Sequence, residues 1–185
     1  GQAIAVALSK AWADVAVAGR SAPTETLALI EANGRKAVNI TADLSSTEPV
    51  ARVVDETLAA LGQLDILVNN AAAVYPDALM APGGFWEKPL KLSDMIDVGL
   101  RSNYVAAYYA SPMMVAAKRG LIASISFYGS VSYFHGAAYG AAKAGTDKMM
   151  SDMAVDLAQY NVAAVAIWPG FILTDAVKAI PSEYL

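Results

Sequence analysis

Tyr139 and Lys143 stand four residues apart and are the pair in this sequence best suited to moving a proton. Residues at this spacing near the start of a helix lie on one face, about one turn from each other. An ammonium group there favours the phenolate and lowers the pKa of the tyrosine from about 10, and the partly positive helix N-terminus acts in the same direction. Such a tyrosine can give a proton to a carbonyl oxygen or take one from an alcohol. The alternative is an ordinary amphipathic helix, because the pattern Y-x-x-x-K also arises by chance.

Ser126 brings a second hydroxyl towards this pair. It ends the apolar run LIASIS, thirteen positions before Tyr139, so a loop can bring both hydroxyls to one site. The alternative is a serine in the turn that follows a strand. We therefore predict a proton-transfer site made of Ser126, Tyr139 and Lys143.

The elements that must position these residues alternate between short apolar runs and longer helical patterns. The predicted strands are Asp14 to Ala18, Lys36 to Ile40, Leu64 to Val68, Gly120 to Ser126 and Val162 to Trp168. The predicted helices are Gln2 to Trp12, Thr24 to Asn33, Thr47 to Leu61, Leu92 to Lys118 and Ala138 to Tyr160. This alternation predicts an α/β fold, a doubly wound parallel sheet in one domain over residues 1–185. Ligands of such sheets bind at the carboxyl ends of the strands, and the Pro- and Gly-rich loop from Ala73 to Lys91 belongs there.

Composition excludes several classes of function. The chain has 185 residues, 56% hydrophobic, enough for one core, and its net charge of −4 with no cluster of basic residues argues against a nucleic-acid partner. It has no cysteine, so it has no disulfide or thiolate metal site, and the lone histidine cannot hold a metal by itself; we predict no metal. The longest apolar stretch, Tyr104 to Ala117, is too short to span a membrane, and no signal peptide is recognisable. We therefore expect a cytoplasmic protein without a membrane span.

Five short segments follow one another along the chain in a distinctive order. They are Gly1-Gln2-Ala3-Ile4, Asp43-Leu44, Asn69-Asn70-Ala71-Ala72, Ser126 with Tyr139 and Lys143, and Pro169-Gly170 with Ile172 and Thr174. Together they resemble the single-domain branch of the short-chain dehydrogenase/reductase family, over nearly every residue. The resemblance implies a Rossmann-like domain that binds NAD(P) and transfers hydride between the nicotinamide and a carbonyl or alcohol substrate.

The resemblance also assigns roles to individual residues. It implies that Ser126, Tyr139 and Lys143 are catalytic, and that Tyr139 and Lys143 also contact the cofactor. Gly1, at a helix N-terminus, is expected to receive the pyrophosphate, although the other two glycines of the family's turn do not occur in this sequence. The remaining expected contacts are Asp43 and Leu44 with adenine, Asn70 and Ala71 along the adenosine, and Pro169, Gly170, Ile172 and Thr174 with the nicotinamide carboxamide.

Arg20 bears on the choice of cofactor. It follows the run VAVAG, where an acidic residue would accept the ribose hydroxyls of NAD and repel a 2′-phosphate. A guanidinium can pair with that phosphate, so we predict NADP(H) rather than NAD(H). The alternative is a solvated arginine after a strand.

Gly99 departs from the family pattern. Many relatives have an asparagine here that supports a water chain to the catalytic lysine, and Asn103, one turn later, is either a substitute or an unrelated helix residue. The segments FWEKP, GLIASIS and AIWPG and this glycine together resemble one branch of the family, whose members are taken to reduce carbonyl compounds. The alternative function is a nucleotide-binding or oligomer-forming family member with little or no turnover.

Other expectations concern the substrate, the partners and the ends of the chain. Phe85, Trp86 and His135 either line a substrate pocket or serve as loop residues. Family members commonly pair two helices across a dyad, so a homodimer or homotetramer is expected, with close packing through Ala106, Ala107, Ala110, Ala154 and Ala158. The family's first, central strand and its last strand have no match in this sequence, so we expect the chain to be part of a longer protein and poorly stable alone.

Overall fold

The computed structural model describes residues 1–170 and residue 172, and it shows an α/β fold. The helices are α1 (Gln2–Lys10), α2 (Thr24–Ala32), α3 (Thr47–Leu61), α4 (Pro76–Met80), α5 (Asp94–Ile96), α6 (Ser102–Ala117) and α7 (Ala137–Leu157). The strands are β1 (Val15–Gly19), β2 (Ala37–Thr41), β3 (Ile66–Asn69), β4 (Gly120–Ile125) and β5 (Val162–Ile167). A π-helical turn, Asp97–Arg101, joins α5 to α6.

All strand pairs in the described residues are parallel, as the alternation of strands and helices predicts. The five predicted strands and four of the five long predicted helices are confirmed, with small differences at their ends. The fifth predicted helix, Leu92 to Lys118, is divided, because α5 and the π-helical turn precede α6. One difference lies in the loop from Ala73 to Lys91, where Pro76 begins the short helix α4. Proline suits the first turn of a helix because its missing N–H group has no partner there in any case.

The core lies between the sheet and the helices α6 and α7. Met114, Ile122 and Met150 are almost fully buried there, and burial of each such side chain contributes about 1.5–3 kcal/mol. Ala107 and Ala110 are also fully buried in this core. The sequence placed both alanines at a contact between subunits, and that part of the expectation is wrong, because their small side chains instead bring α6 close to the rest of its own chain.

A gap divides the sheet into two parts. β1 pairs with β2, while β3, β4 and β5 form a separate three-stranded sheet in that order. Between β1 and β3 lies a cavity of about 470 Å³, lined by both strands, by α1 and by α3. Its position agrees with the expectation, drawn from the family resemblance, of a strand at the centre of the sheet.

The helices also bear on membrane association. Across residues 1–170, no helix has both the length and the apolar character needed to cross a bilayer.

Candidate functional site

Ser126 and Lys143 meet at the carboxyl end of β4. Ser126 directly follows the strand and is 2% exposed, and its hydroxyl donates a hydrogen bond to the backbone oxygen of Lys143 at 3.3 Å. The Nζ of Lys143 donates in return to the backbone oxygen of Ile125 at 2.9 Å. Two reciprocal contacts thus join the strand end to α7, and they place the serine hydroxyl and the lysine in one site.

Tyr139 lies one turn before Lys143 on the same helix, as the spacing predicts. The Nζ of Lys143 lies 5.7 Å from the centroid of the tyrosine ring. The ring packs closely on Gly129: a Cβ atom at that glycine would lie 2.8 Å from Cε1 of Tyr139. Gly129 is therefore needed for the tyrosine to adopt this position beside Lys143.

The environment changes the pKa values of both ionisable members of the site. Burial raises the pKa of Tyr139, which is the opposite of the direction that the sequence predicts. Burial lowers the pKa of Lys143, and the nearby carboxylate of Asp147 partly opposes this effect. The expected lowering of the pKa of Tyr139 does not occur for two reasons. The ammonium group of Lys143 donates its hydrogen bond to a backbone oxygen and not to the phenol, and the phenol is half-buried.

His135 and Gly136 form the turn that begins α7. His135 has a φ of 60° and Gly136 a φ of 89°, and the left-handed region is uncommon for a residue with a side chain. The imidazole stands edge-on to the ring of Tyr139 at 5.3 Å, and burial lowers its pKa, with a smaller effect from Lys88. His135 is therefore a neutral, half-buried neighbour of the tyrosine at neutral pH.

An apolar pocket of about 590 Å³ opens next to this turn. Its walls come from the loop that contains Phe85 and Trp86 and from the segment between Tyr133 and Ala138. Phe85 and Trp86 are 72% and 74% exposed and contact each other edge to face at 5.3 Å. The structure thus brings Phe85, Trp86 and His135 together around one cavity, and His135 contacts the ring of Tyr139.

Gly1 and the first turn of α1 lie beside Asn70. Gly1 caps this nine-residue helix, and a Cβ atom at Gly1 would lie 3.2 Å from Nδ2 of Asn70. Gly1, Leu44, Asn70 and Ala71 line the cavity of about 470 Å³ that lies between β1 and β3. Backbone N–H groups at a helix N-terminus bind phosphates, and glycine allows their close approach, so these residues suit the pyrophosphate of a dinucleotide.

Arg20 and Asp43 follow the neighbouring strands β1 and β2 and are both exposed. The backbone N–H of Ser45 donates a hydrogen bond to Asp43 at 3.0 Å. This bond is the main cause of the lowered pKa of Asp43, and the positive charge of Arg20 adds to it. The guanidinium therefore stands close to Asp43, at the edge of the sheet where the sequence places the adenosine.

The segment after β5 begins beside Ser126. The backbone N–H of Ser126 donates to the oxygen of Ile167 at 2.9 Å, and Trp168, Pro169 and Gly170 follow. Gly170 has a φ of 70°, which favours glycine, and Ile172 is exposed. Thr174, the last of the sequence-predicted cofactor residues, lies outside the described residues.

Gly99 lies in the π-helical turn before α6. Its backbone oxygen accepts hydrogen bonds from Nδ2 of Asn103 at 2.8 Å and from the hydroxyl of Thr146 at 3.4 Å. Asn103 is 3% exposed, so its amide is committed to its own helix. Of the two readings of Asn103, the structure favours a helix residue without a direct part in proton transfer.

The structure shows one polar contact near the site that the sequence reasoning missed. Nε1 of Trp168 donates to both carboxylate oxygens of Asp147, each at 3.1 Å. The signal was present, because Asp147 stands one helical turn after Lys143 and Trp168 directly precedes Pro169. The contact links α7 to the segment after β5.

Comparison with known proteins gives a consistent family match. A family model described as short chain dehydrogenase matches residues 1–185. The human protein named Dehydrogenase/reductase SDR family member 1 is 37% identical over 183 residues, which is 96% of this chain and 58% of that protein. Its mouse counterpart is 35% identical with the same coverage. The chain thus spans less than two thirds of the length of these relatives.

Solved structures match as well. A putative short-chain alcohol dehydrogenase from Sinorhizobium meliloti has a TM-score of 0.84 at 34% identity, covering 94% of this chain and 68% of that one. A metagenomic short-chain oxidoreductase in complex with NADP has a TM-score of 0.82 at 33% identity, covering 93% and 77%. An NAD⁺-bound xylitol dehydrogenase has a TM-score of 0.81 at 25% identity, covering 92% and 65%.

Proposed function

Because this chain belongs to the short-chain dehydrogenase/reductase family, we propose that it takes part in hydride transfer between a nicotinamide cofactor and a small carbonyl or alcohol substrate. The observation that carries the proposal is that Ser126 and Lys143 contact each other at the carboxyl end of β4, with Nζ of Lys143 5.7 Å from the centroid of the Tyr139 ring. A module that only binds a nucleotide needs no such set of hydroxyl, phenol and ammonium groups. The branch indicated by the sequence is the member 1 type, and the match to the human and mouse proteins confirms that resemblance.

Each of the three side chains has a distinct role in the proposal. The cofactor, when bound, supplies or accepts the hydride. The phenol of Tyr139 gives a proton to the substrate oxygen during reduction, and its raised pKa keeps that proton in place at neutral pH. The hydroxyl of Ser126 donates a hydrogen bond to the same oxygen, and Lys143 holds positive charge close to the phenol.

NADP(H) is the cofactor that the proposal favours. Gly1, Asn70 and Ala71 suit the pyrophosphate and adenosine, and the exposed guanidinium of Arg20 suits a 2′-phosphate. The relatives include an NADP complex and an NAD⁺-bound enzyme, so family membership alone does not decide the preference. Comparison of kcat/KM for NADPH and NADH tests it: similar values for the two cofactors would contradict it.

The apolar pocket near Tyr139 supports an apolar or aromatic carbonyl compound as the substrate. The aromatic side chains of Phe85, Trp86 and Tyr133 can cover the non-reacting part of such a molecule, while the carbonyl group faces the tyrosine. A strongly charged substrate would find few partners there, because Lys88 is the only charged residue among those that line this pocket.

NADPH oxidation by the complete polypeptide against a panel of ketones and quinones tests the proposed reaction. The matched control is Tyr139→Phe, which keeps the ring and removes the hydroxyl. Turnover of at least one carbonyl compound, with loss of activity in the variant, supports the proposal. Unchanged activity in Tyr139→Phe would overturn the mechanism. NADPH binding without any turnover would favour the alternative, a nucleotide-binding or oligomer-forming member of the family.

A homodimer or homotetramer belongs to the same proposal. On α6, Tyr104 and Tyr108 are 53% and 62% exposed, and Val155 on α7 is 76% exposed. Apolar side chains on two neighbouring helices suit a contact between copies of the chain. Light scattering on the complete polypeptide tests the oligomeric state, and imaging of a tagged protein tests the expected cytoplasmic location.

A further inference from the structure

Asp147 and Trp168 join the helix that carries Lys143 to the turn that follows β5. The indole N–H of Trp168 points at both carboxylate oxygens of Asp147, at 3.1 Å from each. Asp147 lies on α7 one turn after Lys143, and Trp168 directly precedes Pro169 and Gly170. One contact therefore spans from the proton-transfer residues to the segment expected to hold the nicotinamide carboxamide.

In the hydrogen bond between Trp168 and Asp147, the donor and the acceptor are fixed by their chemistry. The indole N–H can only donate, and an ionised carboxylate is the strongest acceptor that a side chain offers it. Trp168 is 45% exposed, so water competes with the carboxylate and limits the strength of the bond. Loss of the contact therefore displaces the turn modestly and does not unfold the chain.

The carboxylate of Asp147 also acts on Lys143 through its charge. It raises the pKa of Lys143 against the larger, opposing effect of burial. Other ionisable groups on the elements packed against α7 are engaged elsewhere: Asp94 accepts the hydroxyl of Tyr75, and Arg101 lies 3.5 Å from Asp97. Lys91 lies over the ring of Tyr75, and on α7 itself Lys148 pairs with Asp152. Among the described residues, Asp147 alone shifts the pKa of Lys143 by its charge.

We propose that Asp147 is a positioning residue that fastens the turn from Trp168 to Gly170 onto α7 and keeps a negative charge beside Lys143. The proposal rests on the proposed function, because the turn and the lysine matter only if this site binds a nicotinamide cofactor. It assigns Asp147 two separable effects, one on cofactor affinity through Trp168 and one on proton transfer through Lys143.

Three single variants and one double variant of the complete polypeptide separate the two effects. Trp168→Phe removes the indole N–H and keeps an aromatic ring, so it breaks the contact without changing charge. Asp147→Asn removes the charge and keeps an oxygen that can accept from the indole. Asp147→Ala removes both, and the double variant Asp147→Ala with Trp168→Phe tests whether the two residues act as a pair.

Calorimetric titration with NADPH measures the effect of Asp147 on cofactor affinity through Trp168. We expect Trp168→Phe and Asp147→Ala to weaken binding by up to about tenfold, which is the order expected for one hydrogen bond to a charged acceptor. The double variant is expected to bind no more weakly than Asp147→Ala, and Asp147→Asn is expected to bind almost as the wild type does. Additive losses in the double variant, or unchanged affinity in Trp168→Phe, would overturn the positioning role.

The pH dependence of phenanthrenequinone reduction with saturating NADPH measures the effect of Asp147 on proton transfer through Lys143. Removal of a negative charge lowers the pKa of any neighbouring acid, so the alkaline limb of kcat moves to lower pH whether it reports Lys143 or Tyr139. We expect this shift in Asp147→Asn and Asp147→Ala and no shift in Trp168→Phe. An identical pH profile in all four proteins would contradict the charge effect.

The titration and the pH profile together also separate the failure of this inference from the failure of the proposed function. Wild-type protein that bound neither NADPH nor NADH would overturn the proposed function, and the positioning role with it. Wild-type protein that binds NADPH, together with an Asp147→Ala variant of equal affinity and equal pH profile, would overturn the positioning role alone.

Discussion

At the scale of single residues, the packing of Tyr139 on Gly129 shows how closely the phenol is held. A Cβ atom at Gly129 would lie 2.8 Å from Cε1 of the tyrosine, a distance that forces the ring to move. The rings of Phe134 and His135 lie 6.0 and 5.3 Å from it, centroid to centroid, so they also limit its movement. The position of the hydroxyl proposed to transfer the proton therefore depends on a neighbour that has no reactive side chain.

Gly129→Ala is expected to reduce kcat by about tenfold or more, because small displacements of a proton donor are costly to the reaction. The matched control is Gly140→Ala on α7, the helix of Tyr139, where a Cβ atom would meet only the oxygen of Gly129 at 3.4 Å. NADPH-dependent reduction of a ketone or quinone by both variants is the measurement. Equal activity in the two variants would show that the phenol is not held by this contact.

Arg20 carries a second prediction at this scale. Arg20→Asp replaces a guanidinium, suited to a 2′-phosphate, with a carboxylate that repels the phosphate and can accept ribose hydroxyls. We expect the ratio of kcat/KM for NADPH over NADH to fall by about tenfold to a hundredfold, which corresponds to about 1.4–2.8 kcal/mol. Arg35→Asp, away from this turn, serves as the control for a general effect of charge. A ratio that is the same in Arg20→Asp and the wild type would rule out this role of Arg20.

At the scale of elements, Asn69 joins β3 to its neighbours. Its Nδ2 donates to the hydroxyl of Ser124 on β4 at 3.1 Å and to the oxygen of Asn103 on α6 at 3.4 Å. Asn69 is 7% exposed and Ser124 is fully buried. The asparagine-rich turn thus braces the sheet from within, next to Asn70 and Ala71 of the cofactor side.

Asn69→Leu is expected to lower the free energy of unfolding by about 1–3 kcal/mol, because it leaves buried acceptors without their donor. Asn39→Ala, which removes an exposed amide, is expected to change it by less than about 0.5 kcal/mol. Denaturant unfolding of the complete polypeptide measures both. A smaller loss for Asn69→Leu than for Asn39→Ala would contradict the bracing role.

The elements themselves could be predicted well because their patterns are local. Apolar runs such as VAVA and LIASIS, flanked by helical periodicity, define β1 and β4 without any tertiary information. Two features could not be predicted in this way. The pKa of Tyr139 depends on how deeply the ring is buried and on where Nζ of Lys143 points, and the contact between Asp147 and Trp168 depends on how α7 packs against β5. Both are set by packing between segments distant in sequence.

The whole molecule is divided by the cavity between β1 and β3. Among residues 1–170, each of these strands pairs on one side only, β1 with β2 and β3 with β4. The cavity is lined largely by apolar side chains of β1, β3, α1 and α3. Because these side chains face empty space, they lack packing partners and contribute little to stability. Stability at the scale of the domain therefore depends on what occupies this space.

The isolated polypeptide of 185 residues is expected to unfold without a sharp transition, because the two parts of its sheet are not joined by hydrogen bonds. Differential scanning calorimetry is the measurement. A single cooperative transition of the isolated chain between about 45 and 65 °C would contradict the expectation.

The gap in the sheet has a consequence for the behaviour of the chain in solution. The edges of β1 and β3 that face the cavity form two rows of backbone donors and acceptors, and such rows are templates for extended segments of other molecules. Whenever the space is not filled from within, intermolecular β-pairing competes with folding. Aggregation of this chain is therefore expected to begin at the centre of its sheet, whereas most α/β proteins are vulnerable at the outer strands.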